Sequence, residues 1–218
     1  MNTFGIAFDC DGTLVDSEPL HNRADVTVLA RCGVAIDPEE HRRRSTGIGR
    51  AAMLRIIEME REIQLPEDIE QQIERELHRL VTTELKLIPS VAQTLTMLAT
   101  RGAAMAVASN SHTAYIEHAL QICGIRPFFG DRIASSDRVE RLKPAPDIYV
   151  LAAELLDLPA HRCVAIEDSI VGVAAAHAAG MRTFGFCPSG HVFTPAQLQN
   201  AGADEIVTDF SELIDLLA

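Results

Sequence analysis

The sequence predicts an α/β protein: a doubly wound parallel-sheet (Rossmann-like) core with an inserted α-helical cap domain. Three observations carry that prediction. Six short apolar runs suit strands buried on both faces of a parallel sheet: FGIAF (4–8), AAMAVA (103–108), DRIAS (131–135), CVAIE (163–167), RTFGF (182–186) and DEIVT (204–208). Over the C-terminal portion these runs alternate with longer helical patterns, the rhythm of right-handed βαβ units. Between residues 16 and 86 the rhythm stops, and only helical patterns rich in Glu and Arg are found.

Taken in order, the first run ends directly in DCDGTLVDSE, and the helical block follows. Its longest pattern is PEDIEQQIERELHRLVTTEL (66–85). SVAQTLTMLATRG (90–102) then carries apolar residues at helical spacing and stops at Gly102, while SIVGVAAAHAAG (169–180) opens on Ser169, a good N-cap, and stops at Gly180. The expected division is a catalytic core of residues 1–15 and 87–218, with a helical cap domain at 16–86.

Composition narrows the function classes. The chain of 218 residues has 31 acids against 19 Lys and Arg, a formal charge of −12, so neither nucleic acid nor an anionic membrane is an expected partner. Five scattered cysteines, with no CxxC, suggest neither a disulfide framework nor a zinc site. Residues 1–8 lack the regions of a signal peptide, and no apolar run approaches the roughly 20 residues of a membrane span. The expectation is a cytoplasmic protein, with a monomer the simplest state.

In an open α/β sheet, ligands bind beyond the carboxyl ends of the strands. Asp9 and Asp11 follow the first run, Ser109 and Asn110 the second, Lys143 the third, and Glu167 and Asp168 stand at the end of the fourth. Carboxylates gathered at one edge repel one another unless a cation sits among them, and Mg²⁺ takes such hard oxygen ligands. A carboxylate is also a nucleophile toward phosphorus. In extended backbone, residues i and i+2 share a side. Asp9 can therefore attack while Asp11 protonates the leaving alcohol and then activates water. Ser109 and Lys143 would hold the phosphoryl oxygens and offset their charge. Cys10, on the opposite side of the extended segment, reads as packing. His177 and His191 suggest no role, and CPSGHVFTP (187–195) reads as a loop at the site's edge without chemistry of its own.

DCDGTLVDSE, Ser109, Lys143 and IEDSIVG together resemble the four motifs of the haloacid dehalogenase-like hydrolase superfamily, in order and over essentially the whole chain. The resemblance is closest to the helical-cap branch, which includes sugar-phosphate phosphatases and β-phosphoglucomutase. It implies Asp9 as nucleophile, Asp11 as acid and base, Ser109 as phosphate-binding hydroxyl and Lys143 as charge-balancing cation. It also implies Mg²⁺ on Asp9, the Asp11 carbonyl and Asp168, with Glu167 in contact with the ion or one step removed. The second aspartate marks release of an alcohol from a phosphate ester, because a halide leaving group needs no proton.

By the same resemblance, RRRSTGIGRAAML (42–54) is the cap loop that sets specificity, turning at Gly47 and Gly49. Arg50 falls where the mutase has an arginine for the non-reacting phosphate, and His21 where it has a histidine beside the acid/base. Asn110, Arg50 and His21 are thus candidate substrate-binding residues. Thr46 and His112, however, replace two lysines expected of a mutase. The favoured reading is a Mg²⁺-dependent phosphatase acting through phospho-aspartate on a small, sugar-phosphate-like metabolite. A phosphosugar mutase and a catalytically silent phosphometabolite-binding protein are the alternatives.

Overall fold

A computed structural model describes residues 4–45 and 48–217. Thr46 and Gly47, on which part of the expected cap turn falls, lie outside the described residues. By contact density the chain divides into two compact units, one running up to Asp16 and resuming at Lys86, the other Ser17–Leu85. Among the described residues, no helix is long and apolar enough to cross a membrane. All five cysteines are free thiols.

The six apolar runs form six strands, β1 (Gly5–Phe8), β2 (Ala104–Ala108), β3 (Ile133–Ala134), β4 (Cys163–Glu167), β5 (Arg182–Phe186) and β6 (Glu205–Val207). They make one parallel sheet in the order β3-β2-β1-β4-β5-β6. The chain winds outward from β1 in one direction through β3, then returns and winds the other way from β4. The switch point therefore lies between β1 and β4, where such sheets open a crevice at their carboxyl ends.

The two faces of the sheet are packed differently, and the alternation along β1 sets the pattern. Phe8 meets the ring of Phe129 edge-on at 6.2 Å and stacks on Phe210 at 6.0 Å, and Phe210 in turn meets Phe186 at 5.3 Å. These aromatic side chains fill one face. On the other face, Ala7 pairs in register with Ala106 of β2 and Ala165 of β4, a row of small residues across three strands. Helix α8 (Asp147–Leu155) packs over that row and buries Ile148, Tyr149 and Ala152 completely. Alanines let a helix carrying a tyrosine come close to the sheet, and this brings the phenol of Tyr149 to the rim at the end of β4.

The other unit contains helices α1 (Glu18–Arg31), α2 (Pro38–Ser45), α3 (Arg50–Arg61) and α4 (Ile69–Glu84), with no strand among its described residues. Helix α1 packs on α4. Ala24, Val28 and Leu29 of α1 and Ile73, Leu77, Leu80 and Val81 of α4 are buried. Gly49 holds a positive φ of 76° immediately before α3, a conformation that a side chain would strain.

The alanine row makes a specific demand on volume. Replacing Ala165 by Leu should lower stability by roughly 1–3 kcal/mol, read as a shift of several degrees in thermal midpoint, because α8 must lift off the sheet. A neutral result would show that α8 does not need this close approach.

Candidate active site

Hydrogen bonding continues past the ends of the strands and delivers the acids to one place. The Asp9 backbone N–H donates to the Ile166 carbonyl at 2.9 Å, so β1 and β4 stay paired up to the first aspartate. The carboxylates of Asp9, Glu167 and Asp168 each place an oxygen within 4.8 Å of the others. Asp168 gains its position through Gly12, whose φ is +79°. A Cβ on Gly12 would lie 2.2 Å from Asp168 Oδ2, so the glycine of DGT supplies both the turn and the room.

Lys143 reaches this cluster from the loop after β3. Its buried Nζ donates to Asp9 Oδ1 at 2.6 Å, Glu167 Oε1 at 2.5 Å and the Ala108 carbonyl at 2.8 Å, and lies 4.9 Å from the centre of the Tyr149 ring. Burial by itself would lower the lysine, but the charges of Asp9 and Glu167 override it and hold the ammonium above its ordinary range. For Asp9 the balance falls the other way. Burial pushes its carboxyl well above the ordinary value; Lys143 opposes the rise, while Glu167 and Asp168 add to it.

Glu167 is fully buried and its oxygens are already engaged. Oε1 accepts from Lys143 and from Tyr149 Oη at 3.0 Å, while Oε2 accepts from both the N–H and the hydroxyl of Ser169 at 3.0 Å. Ser169 Oγ also accepts from Gly172 N–H and so caps helix α9 (Ile170–Ala178). A Cβ on Gly172 would fall 1.7 Å from Glu167 Oε1. This helix must therefore carry a glycine where the glutamate crosses it.

The donor set fits a hard divalent cation. It consists of carboxylate oxygens, three carboxylates face one ammonium, and burial, with Glu167 and Asp168, raises the Asp9 carboxyl. Asp9 and Asp168 are the ligands this geometry favours, since four donors already serve the Glu167 carboxylate.

The remaining expected residues of this unit stand around the cluster. Ser109 is buried at the end of β2 and accepts from Ser111 N–H at 3.0 Å. Asn110 Oδ1 accepts the Lys143 backbone N–H at 2.9 Å, tying the loop after β2 to the lysine loop. Asp11 is outside the carboxylate trio: its Oδ2 accepts from Ser111 Oγ and its Oδ1 from Tyr115 Oη, each at 2.8 Å. Cys10 is fully buried, its thiol pushed up by burial and by the nearby Asp11 and Asp9. That environment is inert packing and no place for a thiolate.

His21 and Arg50 meet within the helical unit. Arg50 Nε donates to Asp25 Oδ1 at 2.9 Å, and Nη2 lies 3.4 Å from His21 Nδ1, which must accept. His41 stands 4.0 Å from the second Asp25 oxygen and 2.8 Å from Asn22 Oδ1, with burial lowering its imidazole despite the aspartate. The guanidinium is thus pinned to α1 along its Nε edge.

Five residues of this geometry escaped sequence reasoning: Tyr149, Ser111, Tyr115, Asp25 and His191. The sequence suggests no role for His191, yet its Nε2 is 3.3 Å from Asp168 Oδ2. A carboxylate accepts, so Nε2 is the donor in that contact, while Nδ1 lies 3.2 Å from the Phe193 N–H and 3.3 Å from the Phe193 carbonyl. No motif spacing links these residues to their partners, because each contact is made across the fold.

A crossover-wound sheet with acids and one lysine at its switch point defines a class, and the sequence profile of that class matches. The chain belongs to the haloacid dehalogenase-like hydrolases, whose profile covers residues 5–180. It is 32% identical over 187 residues to a 6-phosphogluconate phosphatase of Escherichia coli (strain K12), spanning 85% of this chain and 83% of that one. A haloacid dehalogenase-family hydrolase from Deinococcus radiodurans, solved with phosphate and sodium bound, superimposes with a TM-score of 0.84 at 31% identity, covering 100% of this chain and 96% of the other. A mutant CbbY from Rhodobacter sphaeroides in complex with xylulose-1,5-bisphosphate gives 0.78 at 33% identity, over 97% and 96%.

The glycine crossing offers a direct check on the site's architecture. Gly172→Ala should displace Glu167, cost roughly 1–3 kcal/mol or more in denaturant unfolding, and depress activity as Lys143 loses its anchor. Wild-type stability and turnover in that variant would show that the glutamate does not need this space.

Proposed function

We propose that the chain is a Mg²⁺-dependent phosphatase that hydrolyses a small, sugar-phosphate-like metabolite through a phospho-aspartate on Asp9. One observation carries the reading: Asp9 lies at the switch point within 4.8 Å of the Glu167 and Asp168 carboxylates and bonded to Lys143. A structural salt bridge does not call for a third carboxylate beside it, whereas a metal-assisted attack on phosphorus does.

The enzyme is a phosphoric monoester hydrolase, and its residues divide the work. Asp9 attacks phosphorus through one carboxylate oxygen, and the ester oxygen leaves with a proton from Asp11. Asp11 then takes a proton from water, whose oxygen attacks the phosphoryl group and releases Asp9 and inorganic phosphate. Ser109 donates its hydroxyl to a phosphoryl oxygen, and Lys143, fixed by Glu167, offsets charge on the same group. Asn110 keeps the lysine loop in register with the Ser109 loop. Mg²⁺ held by Asp9, the Asp11 carbonyl and Asp168 would neutralise the phosphoryl oxygens and keep Asp9 anionic. Similarity to a 6-phosphogluconate phosphatase and to a CbbY solved with xylulose-1,5-bisphosphate supports that substrate class here. Arg50, preset by Asp25, and His21 are the helical unit's contribution to recognising a second polar or anionic group. The proposal includes a cytoplasmic monomer.

The Arg50–His21 pair also favours a phosphosugar mutase as the second reading. The loss of the two lysines at Thr46 and His112 counts against it, because a mutase must hold a bisphosphate while it turns.

Turnover of p-nitrophenyl phosphate should require Mg²⁺, vanish with a chelator and fall by orders of magnitude in Asp9→Asn. Equal activity in that variant would end the phospho-aspartate reading. Mg²⁺ should also raise the thermal midpoint of the wild type and have little effect on Asp168→Asn, by mass action on the folded state. With β-glucose 1-phosphate and a bisphosphate activator, phosphorus NMR should show inorganic phosphate accumulating. Faster formation of glucose 6-phosphate would establish the mutase instead.

A further inference from the structure

We infer that Tyr115, together with Ser111, is a positioning residue for Asp11 and sets how well the enzyme expels strongly basic leaving groups. The inference rests on Asp11 being the proton donor of the proposed reaction. An aspartate carboxylate turns freely about its last torsion unless its oxygens are held. Here each oxygen accepts from a different hydroxyl, Ser111 on Oδ2 and Tyr115 on Oδ1, both at 2.8 Å. Two donors on two oxygens fix the plane of the group.

Both donors come from one rigid segment. Ser111 lies in the turn after β2, and Tyr115 in the first turn of helix α6 (Thr113–Ile122). The turn is pinned from several sides. Ser111 N–H donates to Ser109 Oγ, Ser136 N–H donates to the Ser111 carbonyl, and Thr113 N–H and hydroxyl both donate to Asp137 at 2.9–3.0 Å. The Thr113 backbone N–H, then the Ser135 side chain and the Thr113 hydroxyl, hold the Asp137 carboxyl down to about 2. A phenol also suits the task, since it spans a long distance with two torsions and keeps its hydroxyl rigid. Tyr115 thus couples the proton donor to the segment that carries Ser109.

The consequence depends on the leaving group. An alkoxide cannot depart without a well-placed proton, whereas p-nitrophenolate departs without one. Misaligning Asp11 therefore penalises alkyl phosphates selectively. The test compares wild type, Tyr115→Phe, Asp11→Asn and the double variant with saturating Mg²⁺, on p-nitrophenyl phosphate and on glycerol phosphate. Tyr115→Phe should lose roughly tenfold or more in kcat on the alkyl ester, the worth of one hydrogen bond to a carboxylate, and far less on the aryl ester. In the Asp11→Asn background the same substitution should add nothing, because the two residues act as one unit. Ser111→Ala should shift the alkyl-to-aryl ratio in the same direction, and thermal midpoints report whether each variant is folded. Equal losses on both esters, or an undiminished loss in the Asp11→Asn background, would overturn the inference and assign Tyr115 to packing. If Asp11→Asn fails on the alkyl ester while Tyr115→Phe matches wild type, the inference alone falls. If Asp11→Asn hydrolyses the alkyl ester normally, the proton-donor reading falls and takes this inference with it.

Discussion

A buried ammonium held between two carboxylates is the constraint on which the rest of this site depends. Lys143 Nζ sits between Asp9 and Glu167 with a third carboxylate, Asp168, close by. Ions taken out of water lose more than mutual attraction returns unless every remaining lone pair and proton is satisfied. The surroundings meet that demand one group at a time. The Ala108 carbonyl accepts a hydrogen bond from the lysine, Tyr149 and Ser169 donate to Glu167, and Gly172 clears the space in which Glu167 lies. What stays unbalanced is the excess of negative charge on the side of Asp9 and Asp168, the charge that the proposed cation would offset.

Topology converts this electrostatic requirement into a location. Because β1 is flanked by β2 on one side and β4 on the other, in register from Gly5↔Cys163 to Phe8↔Ile166, the residues that follow those strands end side by side. The alanine row on one face of the sheet lets α8 approach, and α8 brings Tyr149. The aromatic cluster on the opposite face stiffens the same strands from below. Core packing and site geometry are thus settled by the same residues, and a change of volume beneath the rim moves the groups on it.

The helical unit uses charge in another way. Arg50 is held by Asp25 with His21 beside it, and Glu76 is gripped by Arg79 and Arg31, whose hydrogen bonds keep its carboxyl below the ordinary range. These partly exposed pairs add little stability each. Their effect is to hold long side chains in set positions.

The strand runs, the helical block and the acids at strand ends were legible in the sequence because each depends on local pattern. Burial on both faces writes itself as continuous apolar runs, and segments that follow parallel strands gather at one edge of the sheet, so Asp9, Asp11, Ser109, Lys143, Glu167 and Asp168 could be placed together from position alone. The sequence by itself thus determined the strands and the residues at their carboxyl ends. Only the tertiary structure decided which groups hold those residues in place: Tyr149 on Glu167, Ser111 and Tyr115 on Asp11, His191 on Asp168, Asp25 on Arg50. The reason is geometric. A hydrogen bond between groups such as Asp11 and Tyr115 is fixed by the crossing of a helix over a sheet, and such crossings leave no period or spacing in the chain to be read.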